Sequence, residues 1–307
     1  MIVPAYGVAH LLADALASLQ AQTRGDWEAI VVDDGAPDDV AGAFARFADD
    51  DRVGLLQTDN GGLATARNRA AAIARAPYLA LLDGDDAWEP DYVATMLAAI
   101  EADPEVGFVT CDASYFGLAD RAGERFSRFS RQDPPLTLER VLRRQFNIFV
   151  GCIIRREAFD AMGGFDGALR SVEDFDLWAR LLAAGWRGGY VAAPLVRYRR
   201  RPGSLSSNER TMLACEQAVY AKLAAMLDGR SEAATARAML ADVEARAAWA
   251  EGEALILSGE ARAGLRKLSG IEQRSLRWKL AMPVMRMMPA LAAPLLRVRP
   301  RLPAPPR

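Results

Sequence analysis

Two patterns of apolar and polar positions alternate along the first half of the chain. Short apolar runs end at turn-forming residues, and most are followed by a stretch in which apolar residues recur every three or four positions. This alternation is typical of repeated strand–helix units built on a parallel sheet. The runs predict strands at 2–6, 29–32, 53–57 and 78–82, and the stretches predict helices near 12–19, 40–48 and 61–74.

The second half of the chain has a different pattern of apolar positions. Apolar runs predict strands at 148–154 and near 189–191, and helical spacing predicts helices at 157–162 and 173–184. From 208 to 268 the spacing is helical, with breaks near Asp228-Gly229 and Ser258-Gly259. No period recurs three times, so we expect a helical hairpin there and no repeat array. The first strand is short for a buried one, which favours a start codon further upstream.

Composition adds a charge asymmetry to this picture. The chain has 307 residues, 51% of them hydrophobic, and a net charge of −2, which gives no sign of nucleic-acid binding. Residues 262–307 hold eleven Lys or Arg and one acid, a charge of +10, so residues 1–261 carry −12. This basic, Pro-rich tail predicts an anionic partner.

The three cysteines are widely spaced and form no CxxC pair, which fits a reducing compartment and gives no support for a zinc site. No signal peptide precedes the first strand. We therefore expect a cytoplasmic protein, peripheral on the inner face of the cell membrane if the tail binds anionic lipid. Four methionines, Met282, Met285, Met287 and Met288, are either gap-fillers or an apolar membrane face.

Candidate binding residues stand where three of the predicted strands end, and at two of these ends they are acids. Asp33-Asp34 follows the second strand and Asp83-Gly84-Asp85-Asp86 the fourth, while Pro4-Ala5-Tyr6 ends the first. Ligands of parallel α/β sheets bind at this edge, and clustered carboxylates repel one another unless a cation or hydrogen-bond donors compensate. Asp and Gly also simply make turns, an alternative that stays open for Asp33-Asp34. The Asp-Gly-Asp turn suits Mg²⁺ or Mn²⁺, whose remaining ligands are phosphate oxygens.

Together these segments resemble a known family. The series Ile-Val-Pro-Ala-Tyr at 2–6, Val-Val-Asp-Asp-Gly at 31–35, Asn-Gly-Gly at 60–62 with Ala-Arg-Asn at 66–68, and Leu-Leu-Asp-Gly-Asp-Asp at 81–86 resembles the family-2 glycosyltransferases of the GT-A fold. Further on, Gly-Gly-Phe-Asp at 163–166 and Glu-Asp-Phe-Asp-Leu at 173–177 resemble the acceptor-side segment of that family. The resemblance implies an α/β fold with a Rossmann-like mixed sheet flanked by helices, followed here by a C-terminal helical extension.

The resemblance also implies roles for single residues. Asp33 would accept a hydrogen bond from a pyrimidine ring N–H, and Asp85, with Asp83, would ligate Mn²⁺ or Mg²⁺. Asp174 would be the catalytic base of an inverting transfer, although acids at a helix start are also favoured by the helix dipole. Further candidates for diphosphate or acceptor contacts are Glu173, Arg199 and Arg201. Residues implied to bind the nucleotide are Pro4, Ala5, Tyr6, Asp33, Arg67 and Asp83.

One position departs from the family pattern. Many members carry a histidine where Arg201 stands, and the single histidine of this chain, His10, lies in the first predicted helix. We expect His10 to be a packing or surface residue. The metal would then rest on carboxylate, phosphate and water, and the arginines at 199–201 would either grip the diphosphate or face solvent.

These observations predict the domains and the function. We expect a GT-A domain at 1–205, with a donor half at 1–110 and an acceptor half at 111–205, a helical extension at 206–270 and an amphipathic tail at 271–307. The predicted reaction moves a sugar from a nucleoside-diphosphate sugar, UDP-linked by preference, to a saccharide or lipid-linked hydroxyl acceptor in bacterial surface polysaccharide or glycolipid synthesis. A nucleotidyltransferase is an alternative, but residues 5–9 lack the lysine of its phosphate loop. A non-catalytic sugar-binding relative is another, but Asp85 and Asp174 are both retained.

Overall fold

The computed structural model describes residues 1–204, 208–271 and 276–297. The chain divides into two compact units, Met1–Ser207 and Asn208–Pro306, which are described separately.

The first unit is built on two groups of strands. Strands β1 (Ile2–Ala5), β2 (Ala29–Asp34) and β3 (Val53–Thr58) are parallel, in the order β1-β2-β3. A second group has the order β4-β7-β6-β8-β5 and contains both parallel and antiparallel pairs. A parallel bridge between Ile2 and Leu81 joins the two groups beside β1. The strands of the second group are β4 (Tyr78–Ala80), β5 (Ala87–Trp88), β6 (Val106–Gly117), β7 (Cys152–Arg155) and β8 (Arg187–Arg200).

Helices cover both faces of these strands. Alternate strand residues point to opposite faces, so Val3 and Val31 belong to one buried cluster and Ile2 and Ile30 to another. The first cluster includes α1 and α4, and the second includes α3 and α7. This arrangement confirms the predicted α/β fold with a mixed sheet flanked by helices. The helices of this unit are α1 (Ala9–Gln20), α2 (Val40–Phe44), α3 (Leu63–Ile73), α4 (Tyr92–Glu101), α5 (Leu138–Leu142), α6 (Arg156–Ala161) and α7 (Glu173–Ala183).

Two long strands of the second group differ from the sequence prediction. The pattern gave no strand at β6, and it gave only a short strand near 189–191 where β8 runs for 14 residues. Strand β6 is buried on both faces and carries a buried acid, Asp112, so its side chains do not alternate between apolar and polar. Strand β8 contains Pro194, which the pairing accommodates by a register shift opposite Asp112. The strand predicted near 189–191 therefore extends to Arg200.

The second unit is helical, as predicted. It contains α8 (Glu209–Met226), α9 (Glu232–Leu257) and α10 (Ala261–Ser269). The breaks fall at Gly229 and Gly259, whose φ values of 82° and 99° lie in the left-handed region that favours glycine. Two short helices follow, α11 (Leu276–Met287) and α12 (Ala292–Arg297), separated by a 3₁₀ turn.

The four tail methionines form two pairs, one buried and one exposed. Met282 and Met285 are buried in an apolar cluster with side chains of α9 and α10, so they are gap-fillers. Met287 and Met288 are 77% and 56% exposed. Within the described residues, no helix is long and apolar enough to span a membrane. Several basic residues on which the tail prediction rests, from Arg274 to the C-terminus, lie outside the described residues or side chains.

Candidate functional site

The first three predicted motifs meet at one edge of the sheet. Strand β1 lies between β2 and the segment after β4, so Pro4-Ala5-Tyr6, Asp33-Asp34 and 83–86 end side by side. The amide of Gly84 donates to the carbonyl of Pro4 at 3.3 Å. A Cβ atom at position 84 would lie 2.8 Å from that carbonyl oxygen, so this close approach requires glycine.

Tyr6 stands on a short loop that is anchored by an acid the sequence did not single out. The side chain of Tyr6 is 54% exposed at the end of β1. The carboxylate of Asp38 accepts hydrogen bonds from the amides of Gly7, at 3.0 Å, and Ala9, at 2.7 Å. These amides lie at the start of α1, where the first N–H groups lack helical acceptors. The contact spans about 30 residues of sequence, so no local pattern could have revealed it.

Asp33 and Asp34 both accept hydrogen bonds from backbone amides of the turns at this edge. Asp34 is buried and accepts from the amides of Gly61, at 2.9 Å, and Gly62, at 2.8 Å. It therefore holds the turn that opens α3. Asp33 accepts from the amide of Ala36 at 3.0 Å and remains partly exposed at the edge of the site. The turn-making explanation thus applies to both acids, and Asp33 also remains partly exposed.

Arg67 projects from α3 into the interior between two carboxylates. Its side chain is 1% exposed. Nη1 donates to Oε1 of Glu173 at 2.5 Å, and Nη2 donates to Oδ1 of Asp83 at 2.6 Å. The predicted contact of Arg67 with a nucleotide stays a prediction, since in this structure the guanidinium is enclosed and reaches the site through its two carboxylate partners.

Glu173 and Asp174 begin α7 and point in different directions, as expected of helix neighbours. Glu173 turns inward to Arg67 and is buried, while Asp174 remains partly exposed. Burial raises the pKa of Glu173 to about 7, although Arg67 opposes the shift. Burial also raises the pKa of the Asp174 carboxyl, and Arg67 again opposes. The residue before them, Val172, has a φ of 55°, a strained value for a β-branched residue.

The end of β8 brings arginines onto the Asp-Gly-Asp-Asp turn. Nε of Arg201 donates to Oδ2 of Asp85 at 2.7 Å, and Nε of Arg199 donates to the backbone oxygen of Asp85 at 2.7 Å. Burial and the nearby Asp83 raise the pKa of Asp85, while Arg201 lowers it. Asp86 is buried and accepts from the amide of Arg199 at 2.8 Å, so it fixes the end of β8.

The acids at this edge offer oxygen ligands for a cation. In the described part of the chain, no group of three or more His, Cys, Asp or Glu side chains is arranged as a complete metal cage. His10 is exposed on α1, consistent with its predicted surface role. Asp83 and Asp85 flank Gly84 and are each partly exposed. Such a pair fits Mg²⁺ or Mn²⁺, which takes few protein oxygens and completes its shell with phosphate and water.

Named bacterial proteins are similar to this chain in sequence. The chain is 27% identical over 214 residues to TuaG of Bacillus subtilis, a protein named for a glycosyltransferase role in teichuronic acid biosynthesis; the match covers 68% of this chain and 81% of TuaG. It is 32% identical over 227 residues to the succinoglycan biosynthesis protein ExoU of Rhizobium meliloti, covering 69% of this chain and 65% of ExoU. The relatives thus include proteins of bacterial polysaccharide biosynthesis.

Solved structures share the fold. S. aureus TarS 1-349 in complex with UDP-GlcNAc has a TM-score of 0.65 at 18% identity, covering 87% of this chain and 80% of that one. The mannosyltransferase PcManGT from Pyrobaculum calidifontis, solved in complex with GDP-Man and Mn²⁺, has a TM-score of 0.61 at 20% identity, covering 96% and 85%. At these identities the likeness concerns the fold, which is that of the GT-A glycosyltransferases.

The family model of glycosyl transferase family 2 matches residues 1–163, more than half of the chain. This match contains the three strand-end motifs, the Gly-Gly turn and Arg67, and it stops at the start of the Gly-Gly-Phe-Asp segment. The match to this family, together with relatives named as glycosyltransferases, favours a glycosyl-transferring enzyme over the nucleotidyltransferase and the non-catalytic alternatives. By its sequence, its fold and the arrangement of these motifs, the chain belongs to glycosyl transferase family 2.

Proposed function

We propose that this enzyme moves a sugar, with inversion and with the help of a divalent cation, from a nucleoside-diphosphate sugar to a hydroxyl acceptor. The observation that carries the proposal is the position of Arg67, which binds Asp83 on the donor side and Glu173 beside Asp174. The buried guanidinium of Arg67 thereby fixes the proposed metal-binding turn and the start of α7 relative to each other. UDP-sugars are the favoured donors.

The donor half of the proposed site lies at the ends of β1 and β2. The exposed ring of Tyr6, with Pro4 and Ala5, would contact the nucleotide base, and Asp33 would accept from a pyrimidine N–H. Uridine offers such an N–H. Structural neighbours were solved with UDP, UDP-GlcNAc and GDP-Man, which supports a nucleoside-diphosphate sugar here.

Asp85 and Asp83 would hold Mn²⁺ or Mg²⁺ through hard carboxylate oxygens. When bound, such an ion neutralises the charge that develops on a departing diphosphate. Asp83 would also reach the ribose, and its orientation is set by Arg67. The arginines at the end of β8, Arg199 and Arg201, would contact the diphosphate or the acceptor.

Asp174 would act as the base on the acceptor. It takes the proton of the attacking hydroxyl as the new bond forms at the anomeric carbon and the bond to the diphosphate breaks on the opposite face. Burial raises the pKa of Asp174, which strengthens it as a proton acceptor while it is ionised. Glu173 is poorly placed for this role because its carboxylate binds the enclosed Arg67.

The acceptor we propose is a saccharide or lipid-linked hydroxyl in bacterial surface polysaccharide or glycolipid synthesis, in line with the naming of the relatives. Residues 1–110 would form the donor half of the GT-A domain, 111–205 the acceptor half and 206–270 the helical extension. The tail at 271–307, with exposed Met287 and Met288 and its excess of basic residues, would dock peripherally on an anionic inner membrane face.

The proposed reaction is tested by donor turnover. The purified protein is incubated with UDP-, GDP- and dTDP-sugars in Mn²⁺ or Mg²⁺, and the released nucleotides are separated by chromatography. Release of a nucleoside diphosphate that stops in excess EDTA and returns on adding Mn²⁺ is the expected result. Full turnover in EDTA contradicts the metal role, and release of pyrophosphate contradicts glycosyl transfer.

A further inference from the structure

We propose that Arg201 is a built-in counter-cation for Asp85, which a divalent ion must displace before it can bind. The displaced guanidinium then pairs with the diphosphate of the donor, so that metal and nucleotide depend on each other to bind. This inference rests on the proposed metal-dependent function and concerns how the same site is loaded.

Each acid of the turn at 83–86 has its own partner in this structure. Arg67 binds Asp83, the backbone amide of Arg199 binds Asp86, and Nε of Arg201 binds Oδ2 of Asp85 at 2.7 Å. These donors offset the repulsion among three closely spaced carboxylates. Asp85 therefore already has a cationic partner from the protein, and a metal ion that binds it meets the guanidinium of Arg201 on Oδ2.

Of these partners, Arg201 is the one whose side chain can leave. Arg67 is 1% exposed and also binds the buried Glu173, so its removal would strand two carboxylates. The amide of Arg199 is part of the β8 backbone. Arg201 lies one residue beyond the end of β8 and its side chain is 26% exposed. Its movement costs the ion pair with Asp85 and no further contact that the structure describes.

A guanidinium on Oδ2 of Asp85 and a divalent cation on the same carboxylate repel each other at short range, which disfavours binding both together. A metal ion arriving alone must therefore break the Arg201–Asp85 pair without replacing it. A diphosphate arriving with the metal supplies oxygens for the ion and an anionic partner for Arg201. Such coupling is reciprocal: the nucleotide tightens the metal by the same factor as the metal tightens the nucleotide.

Binding of Mn²⁺ measured by the electron paramagnetic resonance signal of the free ion, with and without UDP, tests this inference. Arg201→Gln removes the charge, and Arg201→Lys keeps it without the planar guanidinium. Arg200→Gln is the matched control, since the neighbouring Arg200 pairs with Asp120 at 3.2 Å and not with Asp85. Circular dichroism checks that each variant is folded.

Without UDP, Arg201→Gln should bind Mn²⁺ about fivefold tighter than the wild type, the effect of losing a partly shielded ion pair. Arg201→Lys should fall between them, and Arg200→Gln should match the wild type. UDP should tighten Mn²⁺ binding by a smaller factor in Arg201→Gln, because no displaced guanidinium is left to meet the diphosphate.

The failures of the two proposals are distinct. If the wild type binds Mn²⁺ with UDP but Arg201→Gln binds it no tighter in the absence of UDP, the displacement by metal is wrong and the metal role stands. An equal gain in Arg200→Gln also overturns the displacement, because it shows a general effect of charge. If the wild type binds no Mn²⁺ under either condition, the metal-dependent function fails and the inference fails with it.

Discussion

Arg67 and Glu173 are 106 residues apart in sequence, yet Nη1 of the arginine donates to Oε1 of the glutamate at 2.5 Å in the interior of the first unit. The same guanidinium binds Asp83 through Nη2. One buried cation thus joins the strand end that carries the Asp-Gly-Asp turn to the helix that carries Asp174. Breaking a buried pair on one side leaves an uncompensated charge, whereas removing both partners does not.

Replacement of Arg67 should therefore cost stability as well as activity. Arg67→Met leaves two carboxylates without their cation, and we expect the unfolding free energy to fall by about 3 to 5 kcal/mol. Adding Glu173→Gln to this variant should restore part of the loss, since one stranded charge disappears. Urea denaturation of the two single variants and the double variant measures the coupling. Additive losses would show that the two side chains do not interact.

The raised pKa of Glu173 predicts a specific pH dependence of stability. Burial raises it from 4.5 to about 7, so between these values the folded protein holds a proton that the unfolded chain has released. Stability then falls as pH rises through this window, because the folded state binds more protons. The unfolding free energy of the wild type, relative to Glu173→Gln, should decline from pH 4.5 to 7 and level off above it. A relative stability that rises over the same range would contradict the raised pKa.

The sequence predicted which residues meet at the strand ends, but it did not predict which side chains pair in the interior. Runs such as 29–32 end at acids, and the parallel order of β1 and β2 makes those ends neighbours, so Asp33 and Asp85 could be assigned to one edge from the pattern alone. The partners of Arg67 could not be read this way. They depend on how α3 and α7 pack on the same face of the sheet, and that packing has no signature in local periodicity.

Strands β6 and β8 show a second limit of the sequence pattern. Asp112 interrupts the apolar run of β6, and in the structure its carboxylate accepts from both the amide and the hydroxyl of Ser127. These hydrogen bonds compensate for the burial of the carboxylate. In the sequence alone, an acid within an apolar run instead favours the prediction of a loop. The contacts of Arg199 and Arg201 with the Asp-Gly-Asp-Asp turn follow from the long pairing of β8 with β6, which the sequence pattern did not predict.

Asp38 should matter for the donor as well as for the fold. Asp38→Ala frees the amides of Gly7 and Ala9 beside Tyr6, and we expect a loss of about 1 to 2 kcal/mol of stability and weaker binding of UDP. Asp39→Ala is the matched control, because Asp39 caps α2 through the amide of Gly42. It should lose a similar stability and keep the affinity for UDP. Isothermal titration with UDP compares them, and equal affinities for the two variants would remove Asp38 from the donor site.

Asp174→Asn should separate transfer from binding. The amide has nearly the shape of the carboxylate but cannot take a proton near neutral pH, so donor turnover should fall by at least about a hundredfold while UDP affinity is kept. Asp160→Asn, an exposed position on α6, is the control and should keep full turnover. Near-normal turnover by Asp174→Asn would contradict the assignment of Asp174 as the base, since Glu173 binds Arg67 and Asp176 is buried against Arg180.

The stereochemistry of transfer tests the role of Asp174 most directly. An α-linked UDP-sugar that the enzyme turns over is followed by proton NMR in Mn²⁺, and the anomeric signal of the released sugar is recorded before mutarotation mixes the anomers. A base that activates the incoming oxygen opposite the leaving diphosphate predicts the β-anomer as the first product, and its loss in Asp174→Asn. An α-anomer formed first, or a β-anomer formed at the wild-type rate by Asp174→Asn, would contradict inversion by this carboxylate.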